Sequence, residues 1–113
     1  MRSIKRGEVY TIDFGNEVVG SEQGGKRLGV ILQNNKGNLH SPTVIVATIT
    51  SKCKKVKQPT HVIVHDPLRE VSCILLEQLK TISVDRLGMK IGELSERDMK
   101  RVDRALSISL GLN

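Results

Sequence analysis

The stretch RLGVILQNNKGNLHSPTVIVATIT, Arg27–Thr50, holds two apolar, β-branched runs separated by an Asn- and Gly-rich break. TVIVATIT, Thr43–Thr50, is dense in Val, Ile and Thr, whose branched side chains suit a pleated, half-buried surface. Pro42 fits at its entry, where no ladder N–H is required. RLGVILQ reads as the strand before it, and NNKGN supplies residues that accept φ > 0, so a tight turn is expected there.

Working outward, EVYTIDF (Glu8–Phe14) places Tyr10, Ile12 and Phe14 on one face and Thr11 and Asp13 on the other, the period of a half-buried strand. A glycine-broken loop runs from Gly15 to Lys26. Beyond Thr50, the lysine-rich SKCKKVKQPT leads into HVIVH, a DPLRE turn, SCILLEQ and a further short strand at TIS. SVDRLG predicts a helical turn. The period then changes: Met99, Val102, Leu106 and Leu110 recur at helical steps, with Ser95 as N-cap, Asp98 in the first turn and Gly111 as the stop. The charges of this helix alternate in sign (Glu96, Arg97, Lys100, Arg101, Asp103, Arg104) and read as a solvated face. Five or six short strands ahead of one clear helix predict a mainly β, antiparallel small barrel or strongly bent sheet, with the C-terminal α-helix packed on it and one or two short helices.

At 113 residues the chain has the size of one domain, residues 1–113. Its 18 Lys and Arg against 12 Asp and Glu leave a net charge of +6, which favours a polyanionic partner such as nucleic acid. Tyr10 and Phe14 are the only aromatics and belong to the core pattern, which excludes a base-stacking platform. Recognition of RNA would rest on hydrogen bonds, backbone amides and charge. Cys53 and Cys73 form no C-x-x-C pair, so neither a zinc site nor a redox motif is written, and they read as small buried or loop residues. His61 and His65 sit two pleats apart on one strand and read as rim residues, not ligands. No apolar run reaches the ~18 residues of a membrane span, and the N-terminus has no signal-peptide pattern, so a cytoplasmic protein without a cofactor or metal is expected.

Two basic features remain. Lys52, Lys54, Lys55 and Lys57 either neutralise phosphates or form a solvated loop. GSEQGGKR, Gly20–Arg27, is either a hairpin loop with a basic end or a phosphate cradle built from the amides of Gly24, Gly25 and Lys26. It is neither a Walker motif nor a dinucleotide fingerprint.

KRGEVY, VVGSEQGGKR, VILQNNKGN with SPTVIVATIT, PTHV and ILLEQLKTIS, in this order and spacing, resemble the MazF/PemK family of toxin endoribonucleases, and the similarity continues through DMKRVDRALSISLGL. The resemblance implies an SH3-like β-barrel, a homodimer, and sequence-specific, metal-independent cleavage of single-stranded mRNA to 2′,3′-cyclic phosphate and 5′-hydroxyl ends. It implies a MazE-like antitoxin as partner. Arg27 and Thr50 fall at the family's catalytic positions, and Ser21, Glu22, Gln23 and Gln78 at polar positions near substrate, with Lys52, Lys54 and Lys55 tracking phosphates. Glu22 and Glu77 are the carboxylates that could assist proton transfer. The alternative is a non-catalytic toxin of the same fold that binds DNA gyrase, or a structural RNA-binding barrel. Leu28 stands where the family commonly has Pro, and without that ring a less preorganised Arg27 is expected.

Overall fold

The structure, a computed structural model, describes residues 3–15, 19–20, 24–53 and 58–112. Six strands form one antiparallel sheet: β1 (Glu8–Asp13), β2 (Lys26–Ile31), β3 (Thr43–Thr50), β4 (His61–Val64), β5 (Ser72–Ser83) and β6 (Leu87–Glu93). Their order across the sheet is β4-β5-β3-β2-β1-β6, so β4 and β6 are the edges and the sheet bends without closing fully into a barrel. The mainly β, antiparallel architecture with a C-terminal helix agrees with the sequence reading.

Alternation along the strands feeds two cores, one on each face. Val9, Val30, Ala47, Ile49, Ile74 and Leu76 share one with Val102 and Ala105 of the C-terminal helix. Tyr10, Ile12, Phe14, Ile31, Val44, Val46 and Ile82 build the other. Burying each Val, Ile, Leu or Phe side chain among them contributes on the order of 1.5–3 kcal/mol, which is what drives a short chain to bury both faces. The face predicted for Tyr10, Ile12 and Phe14 is confirmed, all three being buried.

β5 is the element that bends the sheet. Thr48 pairs with Leu75 while its neighbour Ala47 pairs with Leu79, so Leu76, Glu77 and Gln78 are extra residues on β5. Such a bulge kinks a strand and raises its twist. The first half of β5 therefore pairs with both β3 and β4, whereas the second half, which contains the expected TIS strand as a continuation, follows β3 alone.

The C-terminal helix, α2 (Glu96–Leu110), starts where Ser95 Oγ accepts from the Asp98 N–H at 3.1 Å. It stops at Gly111, whose φ of 69° takes the left-handed cap favoured by glycine. Val102 and Ala105 are buried and Met99 and Leu106 pack against them, but Leu110 is 53% exposed. The apolar period overshoots there although the last turn stays on the sheet, Ser109 Oγ donating to the Leu76 carbonyl at 2.7 Å. The charged face is solvated as expected, with Arg101 also donating to the Ile63 carbonyl of edge strand β4 at 2.8 Å.

NNKGN does not make the expected tight turn. It opens a short helix, α1 (Asn35–His40), because Asn34 Oδ1 accepts from the Gly37 N–H at 2.8 Å and caps it. The side-chain bonding that suits Asn to turns serves equally at a helix start. The expected turn at SVDRLG is a single 3-10 turn, Val84–Arg86. Edge strand β6 is new relative to the sequence reading.

Candidate nucleic-acid cleft

Arg27 and Thr50 reach one site through strand pairing. β2 and β3 are in register from Ile31 opposite Val46 to Leu28 opposite Ile49, so the next residue outward on each strand is Arg27 on β2 and Thr50 on β3. In β2 and β3, Ile31, Val44 and Val46 mark one face, and the alternation puts Arg27 and Thr50 on that same face at the open end of the sheet. They line a cleft of about 590 Å³ together with Lys26, Ser51, Arg69, Glu70 and Ser72, floored by apolar Leu28, Ile49, Pro67, Leu68 and Ile91. Among the described residues three cations face one carboxylate there, a balance that attracts an anionic ligand.

Each side chain is oriented by its backbone neighbours. Arg27 pairs with Ile12 of β1, and its Nε donates to the Gly24 carbonyl at 3.0 Å, the side chain's one hydrogen bond to protein among the described residues. Leu28, which follows Arg27, is paired on both sides, with Thr11 and with Ile49, and is half-buried. Gly25 closes the hairpin through Phe14 N–H to Gly25 carbonyl (2.9 Å) and Gly25 N–H to Gly15 carbonyl (2.7 Å), at a φ of 72°. Thr50 Oγ1 accepts from the Lys52 N–H at 3.1 Å, which directs its own hydroxyl proton elsewhere.

Glu77 does not line this cleft. It sits in the β5 bulge, where its carboxylate accepts from Thr60 Oγ1 (3.0 Å) and bonds His61 Nε2 (2.8 Å). Burial pushes this carboxyl up, but the bonds from His61 and Thr60 outweigh it and hold the group below the ordinary range. Cys73, the β5 partner of Thr50, lies four residues before Glu77, on the order of 13 Å along a strand. Gln78 shares the bulge. Lys52 is exposed beside Thr50, whereas Ser21, Glu22, Gln23, Lys54 and Lys55 lie outside the described residues.

The sequence reading missed Arg69 and Glu70, which reach the cleft from the β4–β5 turn. DPLRE signalled only a turn; nothing local to it shows that the bend of β5 swings it toward Thr50. Among the described residues no three His, Cys, Asp or Glu stand together as a metal site, and no helix is long and apolar enough to cross a membrane.

A bent antiparallel sheet with a basic cleft at the open end of its central strands defines a small basic-cleft protein. The PemK-like, MazF-like toxins of type II toxin–antitoxin systems match residues 5–110, and the chain belongs to this family. Among solved structures it is similar to an endoribonuclease in complex with its cognate antitoxin from a Mycobacterial species, 26% identical over 97% of each chain with a TM-score of 0.82. MazF (Form-I) from Deinococcus radiodurans, 20% identical over 98% of this chain and 99% of that one, superposes with a TM-score of 0.83. In MazE-MazF (Form-II) from the same organism the identity is 20%, the coverage 100% of both chains and the TM-score 0.79. The last two likenesses speak to the fold alone.

Proposed function

We propose that this toxin is a sequence-specific endoribonuclease that cuts single-stranded mRNA without a metal. The observation that carries the reading is the convergence of Arg27 and Thr50, from adjoining strands and one sheet face, on a basic cleft. The family membership and the likeness to a Mycobacterial endoribonuclease support it.

In this reading the ribose 2′-OH attacks the adjacent phosphorus in line, the P–O5′ bond breaks, and a 2′,3′-cyclic phosphate and a 5′-hydroxyl result. Negative charge grows on the non-bridging oxygens, where the Arg27 guanidinium offers two parallel N–H donors and Thr50 its hydroxyl. An arginine titrates above ~12 and is a poor base at neutral pH, so its task is electrostatic. The proton leaving the 2′-OH needs another acceptor. Glu22 and Glu77 are sequence candidates, and Glu70 is the carboxylate that lines the cleft. Gly24, Gly25 and Lys26 close the loop beside the phosphate, and Lys52 extends the cationic track with Lys54 and Lys55. Ser21, Glu22, Gln23 and Gln78 supply base-edge hydrogen bonds.

The toxin acts in the cytoplasm as a homodimer of single-domain chains. Its antitoxin blocks RNA by laying an acidic segment in the same cleft. Incubation with a long single-stranded RNA in EDTA is the direct test. Discrete fragments with 5′-hydroxyl ends are expected; their absence, or equal cutting by Arg27→Ala, refutes the reading, and gyrase-dependent DNA breakage would then favour the non-catalytic alternative.

A further inference from the structure

The row of side chains that carries Arg27 and Thr50 continues onto β5 as Cys73, the registered partner of Thr50. Directly paired residues on neighbouring antiparallel strands place their Cβ atoms ~4.5–5.5 Å apart on the same face. Cys53 returns to the same point by another route: the turn after β3 brings its Sγ to 4.0 Å from the Thr50 carbonyl oxygen. Cys53 thus lies beside the Thr50–Cys73 pair, and the two cysteine side chains interact. Both are free thiols, Cys73 buried and Cys53 half-buried, and neither has a part in the proposed chemistry.

We propose that Cys53 and Cys73 form a reversible disulfide beside Thr50, closed by exchange with a small disulfide of the oxidised-glutathione class, and that closing it slows RNA cleavage. The effect on cleavage rests on the function proposed above; formation of the bond does not.

The order of events follows from exposure. Burial, reinforced by Cys53 beside it, pushes the Cys73 thiol up to about 12, so it is protonated and shielded from small reagents. Cys53 is the point of entry. Its thiolate attacks one sulfur of the small disulfide, whose S–S bond breaks and releases one thiolate that takes up a proton. Cys73, as thiolate, then attacks the Cys53 sulfur and expels the second small thiol. The protein loses two electrons and two protons, and the small disulfide is reduced to two thiols. Cytosolic disulfides of this transient kind serve redox sensing.

The bond reaches the cleft in two ways. It draws Cys53 from the Thr50 carbonyl onto Cys73, which shifts the Ser51–Cys53 turn and with it the Lys52 N–H that orients Thr50 Oγ1. It also closes a loop that contains β4 and the Pro67–Glu70 wall of the cleft.

The full-length protein should be equilibrated in glutathione buffers of increasing oxidised fraction, acid-quenched and alkylated. Non-reducing peptide mass spectrometry then follows the cross-link, with RNA cleavage measured on the same samples. A Cys53–Cys73 linked peptide should accumulate with the oxidised fraction and vanish with dithiothreitol. Cleavage should fall by ~10- to 100-fold, the scale for a reacting group displaced by about an ångström, and recover on reduction. Cys53→Ser should abolish both the cross-link and the redox response, without depending on tolerance of a change at buried Cys73. Free thiols at the most oxidising poise, glutathione left on Cys53 without the second step, or a cross-linked protein that cuts at the reduced rate would each overturn the proposal. If the reduced protein cuts no RNA at all, the functional reading fails while the cross-link is still read by mass.

Discussion

Replacing Arg27 separates the proposed transition-state role from a merely structural one. The side chain is exposed, and its one hydrogen bond to protein among the described residues is Nε to the Gly24 carbonyl. Arg27→Ala should therefore leave stability within about 0.5 kcal/mol of the parent. The same change removes both N–H donors from the phosphate oxygens, and losing a preorganised donor of this kind costs ~10²–10³ in rate, or ~2.7–4 kcal/mol. Thr50→Val removes a neutral donor and should cost less, ~10-fold, since uncharged hydrogen bonds carry roughly half the energy of charged ones. In the proposed reaction both groups address one phosphate, so the double variant should fall short of the product of the single losses. Arg27→Lys keeps the charge but not the planar fork, and should recover only part of the rate. The assay is single-turnover cleavage of a short RNA in EDTA, with thermal melts of each variant alongside. A parent-like rate for Arg27→Ala, within about threefold, would refute the electrostatic role, and full recovery by lysine would refute the bidentate geometry.

Three further outcomes follow from the same structure. Lys26→Ala and Arg69→Ala, both on the cleft wall, should each flatten the slope of log affinity against log salt for a non-cleavable single-stranded RNA by ~0.7, one lost phosphate contact, as read by fluorescence anisotropy. Burial pushes Glu8 up, but Lys90 (2.6 Å), the Lys5 N–H (2.7 Å) and the Tyr10 hydroxyl (3.2 Å) prevail and hold its carboxyl below the ordinary 4.5. As pH falls the unfolded chain takes up this proton first, so the stabilisation is complete above that ordinary value and is lost as pH drops through the lower folded one. Glu8→Gln should cost ~1–3 kcal/mol near neutral pH, the lower end if half-exposed Lys90 is well screened, and the cost should shrink in denaturant melts below about pH 4. Finally, a Cβ at Gly29 would stand 2.5 Å from Ile12 Cδ1 and 3.2 Å from the Ala47 carbonyl oxygen, so Gly29→Ala should lose ~1–3 kcal/mol by overpacking between β1 and β3.

The elements that were legible are those whose burial is one-sided or whose ends carry side-chain caps. TVIVATIT declared itself by β-branching and α2 by period, cap and stop. β6 did not, because it is an edge strand whose glycines read as breakers. Gly88 is there because a Cβ would overlap Thr11 Oγ1, a reason that exists only once β1 and β6 are side by side. α1 was masked by the double use of Asn, which caps helices with the same bond that stabilises turns.

The sequence by itself determined the alternating strands, the basic charge, the absence of stacking aromatics and, through its resemblance, Arg27 and Thr50 as the candidate pair. These are local patterns or residue identities, and one-dimensional order preserves them. What the tertiary structure decided is proximity. The extra residues Leu76–Gln78 bend β5, and pairing then sets Thr50 against Cys73, brings Arg69 and Glu70 into the cleft, and leaves Glu77 to His61 and Thr60. Cys53 and Cys73, twenty positions apart and without a motif between them, became neighbours only because antiparallel registry folds their separation across a single residue.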